Sequence, residues 1–305
     1  MFEKFASEMV ALPGGDLMVA TGGSGPPLLL LHGYPETHAA WHRVAPELAA
    51  RFTVVIPDLP GYGDSSAPHD GDYSKRAMAR TMADLMAARG FDRFAVAGHD
   101  RGGRVAYRLA LDHPDRITRL AVLDMVPTLD MWEMMDADMA LAVYHWLFLA
   151  QPDGLPEAVI GAGPDEYLLR TVRGWCADPD AIDPAAFEEY RRCFRKPGVI
   201  HAVCEDYRAG AGIDRKHDAA DREVGRRISC PVLALWASHG TDGRPYDTLE
   251  IWRRWADDVT GREIASGHFL PEEAPGAVLA TLLSFLDRQT RCMTGGEDTA
   301  GEQLM

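Results

Sequence analysis

Residues 97–104 read Ala-Gly-His-Asp-Arg-Gly-Gly-Arg, and they place an acid where a chain can do covalent chemistry. Ahead of them, Arg93–Gly98 reads as a short buried strand, and behind them Val105 and Leu109 begin a helical spacing that runs to His113-Pro114. Gly98 and Gly102 let the backbone turn tightly enough to present the side chain of Asp100 at the top of a sheet. A serine there would need a base to remove its proton. A carboxylate is already ionised at neutral pH, and the helix N-terminus and two nearby guanidiniums favour that charge. Such an oxygen can attack a saturated carbon, displace a leaving group and leave an alkyl ester on the protein. The plainer reading is that Asp100 only caps the following helix.

An ester intermediate needs a base, an acid to orient it and donors for the oxyanion. Ser266-Gly-His-Phe-Leu-Pro places His268 in a loop before an amphipathic C-terminal helix, where it can take the proton from a hydrolytic water. Asp124 ends the strand Leu120–Leu123 and is the preferred orienting acid. Asp242, in the polar loop after Val232–Trp236, is the alternative. Leu28–Leu31 runs into His32-Gly33-Tyr34, so the backbone amides of Tyr34 and Arg101 are the expected oxyanion donors, with His32 structural beneath them. Arg101 and Arg104 are three apart on one helix face, and both can point above Asp100 as a clamp for a carboxylate. Arg104 could instead pair with Asp112 or Asp115.

The elements that position these groups alternate. Strands are expected near 28–31, 53–57, 94–97, 120–123, 232–236 and 263–265, with edge strands within 9–20. Helices are expected near 39–49, 74–89, 102–112, 247–256 and 273–288. Alternation of this kind predicts an α/β fold, a mostly parallel twisted sheet covered by helices on both faces. The strand, the Gly-x-x-x-Gly turn and the helix together form the nucleophile elbow of an α/β-hydrolase. Residues 126–226 are helical in pattern and rich in Trp, Tyr and Met, which reads as a cap inserted after the sixth strand. The expected division is a core of 1–125 and 227–288, the cap of 126–226, and a flexible tail of 289–305.

The motifs Gly98-His-Asp-Arg-Gly-Gly-Arg104, Leu123-Asp-Met-Val-Pro-Thr128, Tyr144-His-Trp-Leu-Phe-Leu-Ala-Gln-Pro152, Cys204-Glu-Asp-Tyr-Arg-Ala-Gly210 and Gly267-His-Phe269 resemble the fluoroacetate (haloacetate) dehalogenases. The resemblance runs over about residues 1–288. It implies an α/β-hydrolase with an Asp100–His268–Asp124 triad, no cofactor and no metal, acting on a small haloacid, in a homodimer. It also implies that the departing halide is held by His145, Trp146 and Tyr207. His145 and Trp146 are consecutive on a helix and so about 100° apart, which allows both to reach one ion lying between them. Tyr34 and Met131 depart from the pattern, standing where relatives often carry Phe and an aromatic residue. Trp175 is a further pocket wall or a residue of the cap core. Two rivals remain. An epoxide hydrolase shares the Asp elbow and could use Tyr144 and Tyr207 as acids, but it leaves the arginines without a counter-ion. A non-catalytic receptor on this fold has no need of an intact triad.

Composition narrows the classes further. The chain has 305 residues, 47% of them hydrophobic, enough for one large domain with an insertion. Net charge −15 and the absence of basic stripes argue against nucleic acid. It also disfavours anionic ligands at long range, but salt screens that field over roughly 10 Å, so a local clamp prevails. No apolar run has membrane-spanning length and the first residues carry no leader pattern, while five scattered cysteines read as reduced thiols; a cytoplasmic protein is expected.

Overall fold

The computed structural model describes residues 1–239 and 246–293, with side chains to residue 287. Eight strands form one sheet: β1 (Ala6–Val10), β2 (Leu17–Gly22), β3 (Pro27–Leu31), β4 (Thr53–Pro57), β5 (Phe94–His99), β6 (Ile117–Leu123), β7 (Val232–Ala237) and β8 (Val259–Ile264). Their order is β1-β2-β4-β3-β5-β6-β7-β8. β1, β2 and β4 pair antiparallel and every other pair is parallel. The period-2 alternation of the central strands divides the core. Leu29, Leu31, Val96, Leu120 and Val122 face one layer of helices, whereas Leu28, Leu30, Ala95, Ala97, Ala121 and Leu123 face the other.

Two expected boundaries move. The last strand is Val259–Ile264 rather than 263–265, because an edge strand keeps half its residues in solvent and so shows no apolar run. The C-terminal helix begins at Pro275 and runs to Met293, into the stretch expected to be a flexible tail; after Gly276 the sequence has no Gly or Pro before Gly295.

Between β6 and β7 the chain is helical throughout, from Thr128–Glu133 to Ile213–Glu223. Proline opens the helices Pro164–Trp175, Pro184–Phe194 and Pro197–Ala211, where its missing N–H removes no hydrogen bond. Among the described residues no helix is long and apolar enough to cross a membrane.

Charged groups join this insertion to the core. Asp218 accepts from Tyr107 Oη at 2.7 Å, Arg108 Nη2 at 2.6 Å and the Leu129 amide at 3.1 Å. Lys75, itself 1% exposed, pairs with Asp206 and lies 3.9 Å from Asp214 Oδ2. Removing one partner of such a buried pair would strand the other charge, at a cost of about 3–5 kcal/mol.

A further link lies behind His268, where Tyr190 of the insertion donates to the fully buried Glu272. Burial, and then the nearby Glu36 carboxylate, push Glu272 up to about 8. The folded protein therefore keeps a proton that an unfolded glutamate loses near its ordinary 4.5. Stability contributed by this site must fall as pH rises from about 4.5 to about 8 and level off above that. Glu272→Gln has no proton to lose. Thermal melts should show the wild type losing a few degrees more than the variant between pH 5 and pH 8, whereas parallel curves would place the proton elsewhere.

Candidate active site

β5 ends at His99, and the helix Asp100–Asp112 begins at the next residue. Asp100 takes φ +43°, a left-handed conformation that L side chains rarely adopt. The turn is closed enough that Cβ atoms are excluded on both sides. One added at Gly102 would lie 2.4 Å from the His32 carbonyl oxygen, and one at Gly98 2.4 Å from that of Gly102. Strain at a site so over-determined is characteristic of a presented functional group.

Asp100 is 7% exposed. Burial alone would raise its pKa, but His268, Arg101, His99 and Arg104 bring it down to about 2, so the carboxylate is ionised. Its Oδ2 accepts the Tyr34 amide at 3.0 Å. Arg101 is the second residue of the helix, where an amide has no intrahelical acceptor. His32 sits beneath, fully buried. Its Nε2 accepts the Leu59 amide at 3.0 Å and its Nδ1 donates to the Gly33 carbonyl at 2.8 Å, which leaves it no free nitrogen.

His268 Nδ1 donates to Asp124 Oδ2 at 2.7 Å, and Asp124 Oδ1 is fixed by the Ala237 amide at 2.9 Å. This fixes the tautomer and turns the lone pair of Nε2 into the cavity. There it lies 3.9 Å from Asp100 Oδ2, with no hydrogen-bond partner. Asp242 lies outside the described residues.

A cavity of about 40 Å³ lies over these groups, lined by Asp100, Arg104, Asp124, Met131, His145, Trp146, Trp175 and His268 among others. Arg104 Nη1 donates to the Val126 carbonyl at 2.8 Å, its guanidinium lies 4.4 Å over the Trp146 ring, and its Nε has no partner. Asp112 is occupied by Arg76 and Arg108. Arg101 differs. It is set back from the cavity wall, with Nε and Nη2 on the Asp206 carboxylate at 3.0 and 2.5 Å, and only Nη1 is left without a partner. Tyr207 bridges the two layers, its ring 4.2 Å below the Arg101 guanidinium and 5.8 and 6.0 Å from the rings of His145 and Trp146. Burial pushes His145 down to about 3, so it is a neutral imidazole with Nδ1 unpartnered. Burial likewise keeps the Tyr207 phenol protonated. Tyr144, by contrast, is 54% exposed.

Several members of this site were not singled out in the sequence. Asp206 also accepts Tyr62 Oη at 2.7 Å and pairs with Lys75. His99 donates to Glu36 Oε2 at 2.9 Å and to the His268 carbonyl at 2.7 Å. Burial opposes its charge, but Glu36 overcomes that and raises it to about 9, so a fixed imidazolium lies behind Asp100. Among the described residues two clusters could gather metal ligands, Asp64–Glu189–Cys193 and Glu157–His201–Glu205, and neither borders the cavity. In each a cation already holds the acids, Arg192 and Lys196 on Asp64 and Arg208 on Glu157.

The arrangement is an ionised carboxylate held by a backbone amide, a histidine hydrogen-bonded to a second carboxylate, and a guanidinium, gathered in one small cavity. Residues 26–275 match the model of the alpha/beta hydrolase fold. The chain is 44% identical to a fluoroacetate dehalogenase of Burkholderia sp., over 94% of this chain and 95% of that protein. It is 34% identical to a soluble epoxide hydrolase of Corynebacterium sp. (strain C12), over 93% and 98%. Among solved structures it superposes on a mutant of a Pseudomonas aeruginosa protein, provisionally described as an epoxide hydrolase, with bound MFA. The TM-score there is 0.92 at 50% identity, with 96% of this chain and 99% of that one covered. A tight strand–turn–helix around Asp100 at the end of β5, a helical insertion after β6 and a histidine after β8 agree with these likenesses; the chain belongs to the α/β-hydrolase family and, within it, to the haloacetate dehalogenases.

Proposed function

We propose that the protein hydrolyses short 2-haloacids, fluoroacetate to glycolate and fluoride foremost, through an alkyl ester on Asp100. The observation that carries this reading is that an ionised Asp100 and the Arg104 guanidinium line the same small cavity. A carboxylate ligand offers an anionic acceptor to the Arg104 Nε that has no partner, whereas a neutral epoxide offers no anion. The exposed Tyr144 further disfavours an epoxide, because it is one of the two tyrosines offered as acids for ring opening. The ordered His268–Asp124 pair disfavours a receptor, which has no use for a base.

In the proposed scheme Arg104 and the free Nη1 of Arg101 hold the substrate carboxylate. The Asp100 oxygen not held by Tyr34 attacks the α-carbon. The carbon–halogen bond breaks and the halide leaves with its electron pair toward His145, Trp146 and Tyr207. Oδ2, on the Tyr34 amide, becomes the ester carbonyl oxygen. His268 Nε2 then takes a proton from water as the oxygen adds to the ester carbonyl. Collapse of that adduct expels glycolate, which receives that proton from His268, and the second proton of the water passes to solvent, which restores the Asp100 carboxylate. Fluoride is strongly hydrated and a poor leaving group, so it depends most on donors that replace water as charge develops.

Halide and proton release should follow mixing with fluoroacetate and chloroacetate, and no diol should form from styrene oxide; the opposite pattern would assign epoxide hydrolysis. Arg104→Leu should raise the KM for chloroacetate by about 10²–10³-fold, the equivalent of a stranded buried charge, while leaving turnover of neutral chloroacetamide nearly unchanged. Equal effects on acid and amide would remove Arg104 from carboxylate recognition. Trp146→Phe keeps the ring packing and deletes one N–H. In single turnovers it should slow defluorination by about tenfold or more and dechlorination by clearly less, since one oxyanion donor is worth about 2.7–4 kcal/mol and two other donors remain. Equal losses would mean that Trp146 only fills space.

A further inference from the structure

The segment carrying His268 is tied to the cap by a carboxylate that the scheme above does not use. Glu273 Oε2 accepts the amides of Ala177 at 2.7 Å, Gly267 at 3.1 Å and Asp178 at 3.3 Å. Its Oε1 accepts the amide of Phe269 at 3.1 Å. Ala177 and Asp178 follow the cap helix Pro164–Trp175, whereas Gly267 and Phe269 flank the base. The amide of His268 itself donates to the Trp175 carbonyl at 2.9 Å. Three consecutive amides around the base thus end either on the cap or on the group that grips it.

The fit has no slack. A Cβ at Gly267 would lie 2.3 Å from the Ala177 nitrogen and 2.6 Å from the Trp175 oxygen. Bonds from amides to an ionised carboxylate are charge-assisted, and a carboxylate has only acceptors to offer four donors. The cap segment it holds also builds the cavity, since the Trp175 ring stands edge-on to His268 at 5.3 Å and lies 4.4 Å from His145.

We infer that Glu273 is a positioning residue for His268, a clip that makes seating of the cap and placement of the base a single event. The inference rests on the ester scheme proposed above, in which attack by Asp100 does not need the base and hydrolysis does. Loss of the clip therefore slows the second half-reaction and spares the first. A residue that served stability alone would leave the ratio of the two steps unchanged.

Glu273→Gln keeps the shape but replaces one acceptor oxygen with a donor that faces amide N–H groups. Rapid quench with chloroacetate should give ester formation within about twofold of the wild type and ester hydrolysis at least about tenfold slower. Intact mass should show the carboxymethyl adduct accumulating on Asp100. Binding of acetate should be unchanged, because Arg104 is untouched. Hydrogen exchange should quicken together at 177–178 and 267–269. Equal slowing of both steps, or no change in either, would overturn the proposal. Should the Gln variant fail to fold, Glu273→Asp keeps the charge on a shorter stem and should shift the same ratio less. If wild type forms no ester at all, the ester scheme fails instead; the paired exchange at the two segments then decides whether Glu273 clips them, and exchange that rises at one segment alone would show that it does not.

Discussion

A carboxylate kept ionised while almost wholly buried is the constraint on which the rest of the structure depends. Burying Asp100 opposes its charge, and that opposition is met from every side. The Tyr34 amide holds one oxygen, His99 stands behind as a fixed imidazolium, and Arg101 and Arg104 supply charge from the first turn of the helix. The left-handed backbone at Asp100 and the glycines at 98 and 102 exist to bring these groups together. Without the cations the group would take up a proton, and a neutral carboxylic acid is no nucleophile.

The cations in turn need company, which explains how the cap is attached. Arg101 meets Asp206, Asp206 meets Lys75 and Tyr62, and Lys75 lies near Asp214. Asp214, Asp218 and Asp221 are buried on one face of the helix Ile213–Glu223, at a spacing that usually marks an apolar stripe. Here the stripe is acidic because the surface it meets carries Lys75 and Arg108. Seating the cap therefore completes the charge balance of the core. The same contact that closes the cavity aims Arg101 and, through Trp175 and Glu273, steadies His268.

Much of this was legible along the chain because strong local punctuation marks it. Asp100 lies between two glycines, Asp124 at a strand end before Pro127, and His268 behind a glycine and ahead of a helix, so each announces its place in an α/β framework. The insertion could be read from its helical pattern, its lack of strands and its wealth of Trp, Tyr and Met. What stayed hidden depends on partners far apart in sequence. Asp206 lies 105 residues from Arg101 and 131 from Lys75, and an acid beside a base in a helix ordinarily reads as a solvated face. Glu273 looks like any exposed acid at a helix start until the backbone of 177–178 is folded against it. The last strand was displaced because its exposed positions carry Thr260, Arg262 and Glu263.

The central claim is that Asp100 itself forms a bond to the substrate, and a single turnover in water enriched in oxygen-18 addresses it most directly. With enzyme in excess over fluoroacetate or chloroacetate, the ester is opened by water at the Asp100 carbonyl. The heavy oxygen must then appear in the Asp100 side chain, and the first glycolate released must carry an unlabelled hydroxyl. Heavy oxygen in that first glycolate, with Asp100 unlabelled, would mean that water attacks the substrate directly and that Asp100 serves as a base.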